Sequence, residues 1–314
     1  MISLEDLKSY LYEFYEIECD NIKIIERLMF RRSYLIYKND VCNYIVKEYP
    51  GNSSIEKLTD ILEYYQCLKN RGIKVGCPIY RKDSSEFYVF LRGRYYVVFE
   101  YLQGERPQIC QYELIAKCLD LYHRQAQIET LSFCTTTEEE ITIAIKNFKY
   151  YETNMYMIKN LILSCKDNFN EIANKFRSNL NNNIIIHGDT IIENMIFNNT
   201  EVILIDFDNI RYGTRMEDIA NTVISFMYYG TENYQIMPER LHYIRKFINT
   251  YYPDENANEE EILYNMKIHC IIELGKYAEN ITYLERLPKM KDYLLLLIKI
   301  INAKNFLELF NKQY

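Results

Sequence analysis

Short runs rich in Ile, Val and Tyr crowd into the first hundred residues of this 314-residue chain, and helical periodicity takes over almost everywhere after Gly104. This segregation limits the fold more than any other feature. Parallel βαβ architectures need strands and helices to alternate, so a chain that separates them reads as α+β. The runs IKIIERLMF, SYLIYKN and NYIVKEY, broken at Arg31-Arg32 and Asn39-Asp40, are expected to be successive antiparallel strands. EFYVFL and YYVVFEYL, separated by RGR, add two more. An amphipathic helix is expected over residues 3–16, with Leu4, Leu7, Leu11 and Phe14 on one face. A second, IEKLTDILEYYQCLKNRG, follows PGNSS, with Ser53 or Ser54 as its N-cap and Gly72 at its end. The segment QGERP then punctuates the chain. The expected division is a β-rich first lobe over residues 1–102 and a helical second lobe over 103–314.

Beyond that point helices are expected over residues 112–127, 137–180 and from 216 to the end, with breaks near Pro238, Pro253 and Pro288. One β island interrupts them, NIIIHGDTIIENMIFNNTEVILIDFD. Phosphoryl transfer needs a carboxylate beside the acceptor hydroxyl, to orient it and take its proton. It also needs oxygen ligands for Mg²⁺, which takes one or two protein groups and fills the rest with phosphate and water. Asp189 fits the first need; Asn194 and Asp206 fit the second. The stretch between them reads as a hairpin turning at Asn198–Thr200, and a hairpin brings its two ends together.

His187-Gly188-Asp189 with Asn194, followed by Asp206-Phe207-Asp208, resembles the catalytic and metal-binding loops of the protein-kinase-like superfamily. There the pattern is H-x-D-x-x-x-x-N and then D-F-G. Here Gly188 stands where protein kinases have arginine, and Asp208 stands in place of the last glycine. Both departures are similar to the aminoglycoside phosphotransferase and choline kinase branch, and Asp-Phe-Asp to the CotS-type spore-coat kinase-like family. Arg215-Met-Glu-Asp218-Ile-Ala-Asn looks like that branch's helix start after the metal loop. The resemblance covers about residues 20–225 and implies a bilobal protein-kinase-like fold using ATP and Mg²⁺.

The resemblance also assigns roles in the first lobe. Lys47, in Tyr44-Ile-Val-Lys-Glu-Tyr, corresponds to the phosphate-binding strand lysine. Glu63 is the preferred acidic partner on the helix, with Glu56 left open. No glycine-rich loop precedes Lys47; Phe30-Arg31-Arg32-Ser33-Tyr34 occupies that turn, and Ser33 is expected to offer its hydroxyl and amide to phosphate. Phe99 to Gly104 looks like the hinge, with Phe99 as gatekeeper and the Glu100 carbonyl and Leu102 amide meeting the purine edge. His187 is expected to be a buried residue bonding backbone. Leu119, Leu121 and His123 resemble a core helix below the catalytic loop.

The net charge of −7 speaks against nucleic acid, which calls for a basic footprint. The longest apolar run, Tyr293 to Ile298, is closed by Lys299 and is far short of a membrane span. The N-terminus has no apolar signal core, so a cytoplasmic protein with reduced cysteines is expected. The leading reading is a kinase of a small hydroxylated molecule such as choline, a sugar or an aminoglycoside. The alternative is a spore-coat structural or interaction protein that keeps the fold, with spore-coat proteins as partners. A protein kinase is disfavoured, because no A-P-E segment or activation loop follows Asp206. Acids at Asp254, Glu255 and Glu259–Glu261 suit either a cationic acceptor or a solvated helix start. With 31 tyrosines, composition singles out no aromatic cage.

Overall fold

In the computed structural model, which describes residues 2–26, 32–127, 131, 132, 134–153, 159–177, 184–253, 258–278 and 287–311, the chain divides into two units. One holds Met1–Glu105 with Ile128–Phe133, and the other Arg106–Gln127 with Cys134–Tyr314.

The first unit is built on a five-stranded antiparallel sheet in the order β1-β2-β3-β5-β4. Its strands are β1 (Asn21–Glu26), β2 (Arg32–Lys38), β3 (Val41–Pro50), β4 (Tyr88–Leu91) and β5 (Arg94–Glu100). Asn39 and Asp40 both take positive φ (51° and 60°), the geometry of a two-residue hairpin turn between β2 and β3. Helix α1 (Leu4–Tyr15) starts where Ser3 Oγ accepts from Asp6 N–H at 3.1 Å. It buries Leu7, Tyr10, Leu11 and Tyr15 against Ile22, Tyr34, Ile36 and Val46 on one face of the sheet. The expected stripe is shifted: Leu4 is exposed, and Tyr10 and Tyr15 join Leu7 and Leu11 instead. Helix α2 (Ile55–Asn70) is capped by Ser54, which accepts from Lys57 N–H. It stops before Gly72, whose φ of +79° favours a residue with no Cβ.

The second unit carries α3 (Tyr112–Gln125), α4 (Thr137–Asn147), α5 (Lys149–Thr153), α6 (Lys159–Ser164) and α7 (Lys166–Arg177) before its short strands. These are β6 (Ile184–Ile186), β7 (Met195–Phe197), β8 (Val202–Leu204) and β9 (Arg211–Gly213). β7 and β8 form the expected hairpin, with Met195 opposite Leu204, and β6 pairs with β9. Then come α8 (Arg215–Tyr228), α9 (Leu241–Tyr251), α10 (Glu259–Tyr277) and α11 (Pro288–Asn302). α10 is buried on most sides, packing on α4, α8 and α11. At Gly275 a Cβ would lie 2.4 Å from Ala144 Cα, so only glycine lets α10 approach α4 this closely.

On α3, Leu119 and His123 are buried as expected, but Leu121 is 40% exposed, because it points to the opposite side of the helix from them. Among the described residues, no helix is long and apolar enough to cross a membrane.

Candidate active site

Strand alternation decides which β3 side chain is available for chemistry. Glu48 points to the α1 face, where it is buried between Arg94 Nη1 at 2.8 Å and Tyr34 OH at 2.8 Å. Lys47 points to the other face. It is buried, its Nζ lies 5.2 Å from the centre of the Phe99 ring, and its strand neighbours are Ser33 on β2 and Val97 on β5. Lys47, Ser33 and Phe99 therefore share one face. Ser33, however, is a buried residue inside β2 and not in the turn before it. Phe30 and Arg31 lie outside the described residues.

The expected Lys47–Glu63 pair is not formed. α2 buries Leu58, Ile61, Tyr65 and Leu68, and Glu63 stands about half a turn away, exposed to solvent. Glu56 lies on that same outer side, where its carboxylate accepts from the Ser54 hydroxyl at 2.9 Å. The acid of α2 on the flank of the buried face is Asp60, half-buried and one turn before the buried Tyr64. The sequence reading missed it, because its position depends on which α2 stripe meets the sheet.

The end of β5 carries backbone groups suited to a flat polar ligand. Tyr101 N–H donates to Asn43 O at 2.9 Å, so by ladder alternation the peptide groups of Glu100 point away from β3. Glu100 N–H donates to Cys77 O at 2.9 Å. Gly76 lies so close to Glu100 O that a Cβ there would sit 2.7 Å from it. Leu102 N–H has no backbone acceptor among the described residues. The Glu100 side chain faces outward, with Lys69 at 3.4 Å.

In the second unit the loop after β6 is fixed by buried polar contacts. His187 is fully buried; its Nε2 lies 3.0 Å from Ile205 O, and its Nδ1 accepts from Asp189 N–H at 3.3 Å. Asp218, at the start of α8, accepts from His187 N–H at 2.9 Å and Gly188 N–H at 2.8 Å, with His123 Nε2 at 2.9 Å. Burial alone would raise its carboxyl, but these donors and the nearby histidines outweigh that and hold it below the usual range.

Asn194 Nδ2 donates to Asp189 Oδ2 at 2.9 Å and to Asp189 O at 3.1 Å. That leaves Asn194 Oδ1 as the group available to a cation. Asp206, at the far end of the hairpin, takes φ +70° and ψ +60°, a left-handed conformation uncommon outside glycine. Such an outlier, held between β8 and a one-turn helix, is the kind of local strain found at functional sites. Among the described residues no three His, Cys, Asp or Glu side chains are gathered to hold a metal by themselves. A Mg²⁺ that draws most of its shell from phosphate and water needs no such group, so one amide oxygen and one carboxylate fit it.

Asp189 is half-buried, and burial pushes its carboxyl up to about 7. Glu273 and Asp206 push the same way, while Lys276 and the Asn194 hydrogen bond oppose them. A side-chain chain runs outward from it. Asn209 Nδ2 donates to Asp189 Oδ2 at 3.4 Å, Lys276 Nζ to Asn209 Oδ1 at 3.1 Å, and Lys276 Nζ to Glu273 Oε1 at 2.9 Å. Beside these acids four tyrosines pack together with tilted and T-shaped ring contacts. The ring centres of Tyr228 and Tyr234 are 4.8 Å apart, those of Tyr234 and Tyr293 4.9 Å, and those of Tyr277 and Tyr293 6.2 Å. Burial raises the Tyr277 phenol, and the charges of Glu273 and Asp189 raise it further.

None of these neighbours was legible in the sequence, because they come from α8, α10, α11 and the segment after α8. The acids singled out there lie elsewhere. Glu259–Glu261 form the first turn of α10, about 25 Å along the helix from Lys276, and Asp254 and Glu255 lie outside the described residues.

A family model described as the phosphotransferase enzyme family APH matches residues 23–246. Among curated proteins no sequence matches the chain. The chain is similar in structure to the amicoumacin kinase hAmiN in complex with AMP-PNP, Ca²⁺ and Ami, with 14% identity and a TM-score of 0.74, covering 97% of this chain and 95% of that one. It is similar to a microcompartment-associated aminopropanol kinase, with 12% identity and a TM-score of 0.70, covering 95% of each chain. It is also similar to choline kinase LicA from Streptococcus pneumoniae, with 16% identity and a TM-score of 0.65, covering 95% of this chain and 98% of that one. Identities this low establish the fold, and the expected α+β protein-kinase-like architecture is borne out.

Proposed function

Because the chain belongs to the APH phosphotransferase enzyme family, we propose that it is a kinase that takes a phosphoryl group from ATP, with Mg²⁺, and places it on a hydroxyl of a small amine-bearing molecule. The observation that carries this reading is the state of Asp189. Its carboxyl is pushed up to about 7 and is held by Asn194 from one side and Asn209 from the other. A base matched to neutral pH and fixed in direction suits removal of a proton from an alcohol.

Asp189 would orient the acceptor hydroxyl and receive its proton. Asn194 Oδ1 and the Asp206 carboxylate would hold Mg²⁺, which when bound neutralises the charge on the transferring phosphoryl group. In the first unit, Lys47 would bind phosphate, with Ser33 beside it on the same face. The Glu100 carbonyl and Leu102 N–H would pair with the purine edge. The AMP-PNP and Ca²⁺ of the amicoumacin kinase complex support the nucleotide and the divalent cation. The tyrosine cluster, with Asp189 and Glu273 beside it, supports a cationic acceptor, since aromatic faces and carboxylates both attract ammonium groups. Aminopropanol and choline, named for two of the similar kinases, are of that kind. The narrower CotS-type kinship rests on Asp206-Phe207-Asp208.

The test is an ATP-consumption screen against choline, aminopropanol, thiamine, sugars, homoserine and aminoglycosides. Mg²⁺-dependent turnover with an amine-bearing alcohol is expected, lost in Asp189→Ala while the melting shift caused by Mg-ATP is kept. No turnover with any acceptor would remove this reading.

A further inference from the structure

The residue between His187 and Asp189 is glycine, and the structure shows what fills the space a side chain would take. Gly188 has φ +75°, and a Cβ built on it would lie 2.2 Å from Arg211 Nη1 and 2.3 Å from Asn209 O. Arg211 comes from β9, where it stands opposite Ile186, and it is 3% exposed. Its Nη1 donates to Gly188 O at 3.3 Å, its Nη2 to Glu217 Oε2 at 3.1 Å, and its Nε to Thr137 Oγ1 at 3.1 Å. Glu217 is as deeply buried, and it also accepts from Thr137 Oγ1 at 2.7 Å and Thr214 N–H at 2.8 Å.

A buried ion pair is a weak device for stability, because desolvation offsets most of the attraction and a well-packed apolar pair does as well. An apolar pair could not hold the Gly188 carbonyl, and here one arm of the guanidinium is spent on it. The loop is thus gripped from two sides: Asp218 takes the Gly188 N–H, and Arg211 takes the Gly188 C=O.

We propose that Arg211 is a positioning residue for the catalytic aspartate. Its guanidinium, paired with Glu217, occupies the space left by the missing side chain at 188 and fixes the plane of the Gly188–Asp189 peptide. The arginine absent from the His-Gly-Asp segment is in effect supplied by β9. Its counter-charge is internal, so the loop is set on folding and needs no added phosphate to order it.

This inference rests on the catalytic reading of Asp189, so one arm of its test is independent of activity. The variant carries Arg211→Met and Glu217→Gln together, which removes both buried charges without leaving either one unpaired. With ¹⁵N-glycine labelling the protein's nine glycines give a resolvable set of amide signals. The Gly188 amide should exchange with solvent at least about tenfold faster in the variant, while Gly275 is unchanged. With an accepted substrate, kcat should fall about 10- to 100-fold, the scale of a small misplacement of a reacting group, with KM for Mg-ATP within about twofold. Arg211→Lys keeps the charge pair with one donor nitrogen in place of three and should recover part of both losses; it also carries the test if the double variant does not fold. Unchanged Gly188 exchange would reduce Arg211 to packing and overturn the proposal. If the unmodified protein turns over no acceptor, the functional reading fails and the exchange measurement alone decides the role of Arg211.

Discussion

Asp189 sits where its own charge is unwelcome, and that has a measurable cost. Burial first, then Glu273 and Asp206, raise its carboxyl from an ordinary value of 3.8 to about 7. The folded chain therefore holds an extra proton between those two values. Stability is fullest below 3.8 and declines as pH rises through the window, reaching its full penalty above about 7. Asp189→Asn is neutral throughout, and its side-chain oxygen still accepts from Asn194 Nδ2, now at 2.9 Å from the carboxylate. The gap between 3.8 and about 7 sets a ceiling of roughly 4 kcal/mol. Partial solvent contact screens the charge and reduces the expected gain to about 1–2 kcal/mol. In EDTA, without nucleotide, the variant should melt about 1.5–3 °C above the unmodified 314-residue protein at pH 8. The difference should shrink to about two-fifths of that size at pH 5 and vanish only as the pH falls below 3.8. Turnover should fall by about 10²–10⁴ in the same variant. A variant that melts lower than the unmodified protein at pH 8 would refute the reasoning, because Asp189 would then be a structural cap.

Asp218→Asn should act in the opposite sense: whichever way the amide is turned, its NH₂ meets the N–H of Gly188 or of His187, at a cost of about 3–5 kcal/mol in urea unfolding near neutral pH. The native carboxyl is held low, so its contribution is present above 3.8 and lost as pH falls further; the gap between the two proteins should close in acid. Lys47→Ala should reduce the melting shift given by Mg-ATP, and Asp60→Asn should reduce it more than Glu63→Gln, which should leave it intact because Glu63 is exposed. Equal effects at Asp60 and Glu63 would remove the distinction between them. Tyr234→Ala and Tyr293→Ala should raise KM for an amine-bearing acceptor about 3- to 30-fold, from loss of about 0.5–2 kcal/mol of cation–π attraction each, with KM for ATP unmoved.

The succession of antiparallel strands, the hairpin between Asn194 and Asp206 and the cap at Ser53 or Ser54 were legible because each depends on a few neighbouring residues. Asp189, Asn194 and Asp206 could be picked out as candidates for the same reason, since they lie within a single island of the sequence. Glu63 failed for a different reason: seven-residue spacing places Glu56 and Glu63 on one side of α2 but does not say which side meets the sheet. The answer comes from Leu58, Ile61, Tyr65 and Leu68, and it leaves both glutamates outside. Ser33 was misplaced in the turn because β2 begins one residue before it, at Arg32; it stays opposite Lys47 on β3. Leu121 failed because the resemblance to a core helix does not fix its rotation: Ile115, Ala116, Leu119, Tyr122 and His123 face inward and Leu121 does not.

The surroundings of Asp189 were out of reach for a more general reason, and it bears on function. The family model ends at residue 246. Glu273, Lys276, Tyr277 and Tyr293 all lie beyond that point, on α10 and α11. Lys276 reaches Asn209 from a helix that Gly275 allows to pack closely on Ala144. The residues proposed to hold proton and metal are thus drawn from one contiguous loop and hairpin, where motif spacing reveals them. Those proposed to meet the acceptor are drawn from distant helices, one of which approaches α4 only where a Cβ is missing. Gly275→Ala should therefore disturb the acceptor side selectively. Its methyl group would force α10 away from α4 and stretch the contact of Lys276 with Asn209, 3.1 Å in the native chain. KM for the acceptor should rise and kcat fall, while the Mg-ATP melting shift is kept. If instead nucleotide binding and acceptor turnover decline together, α10 is a general support of the fold and acceptor choice lies elsewhere.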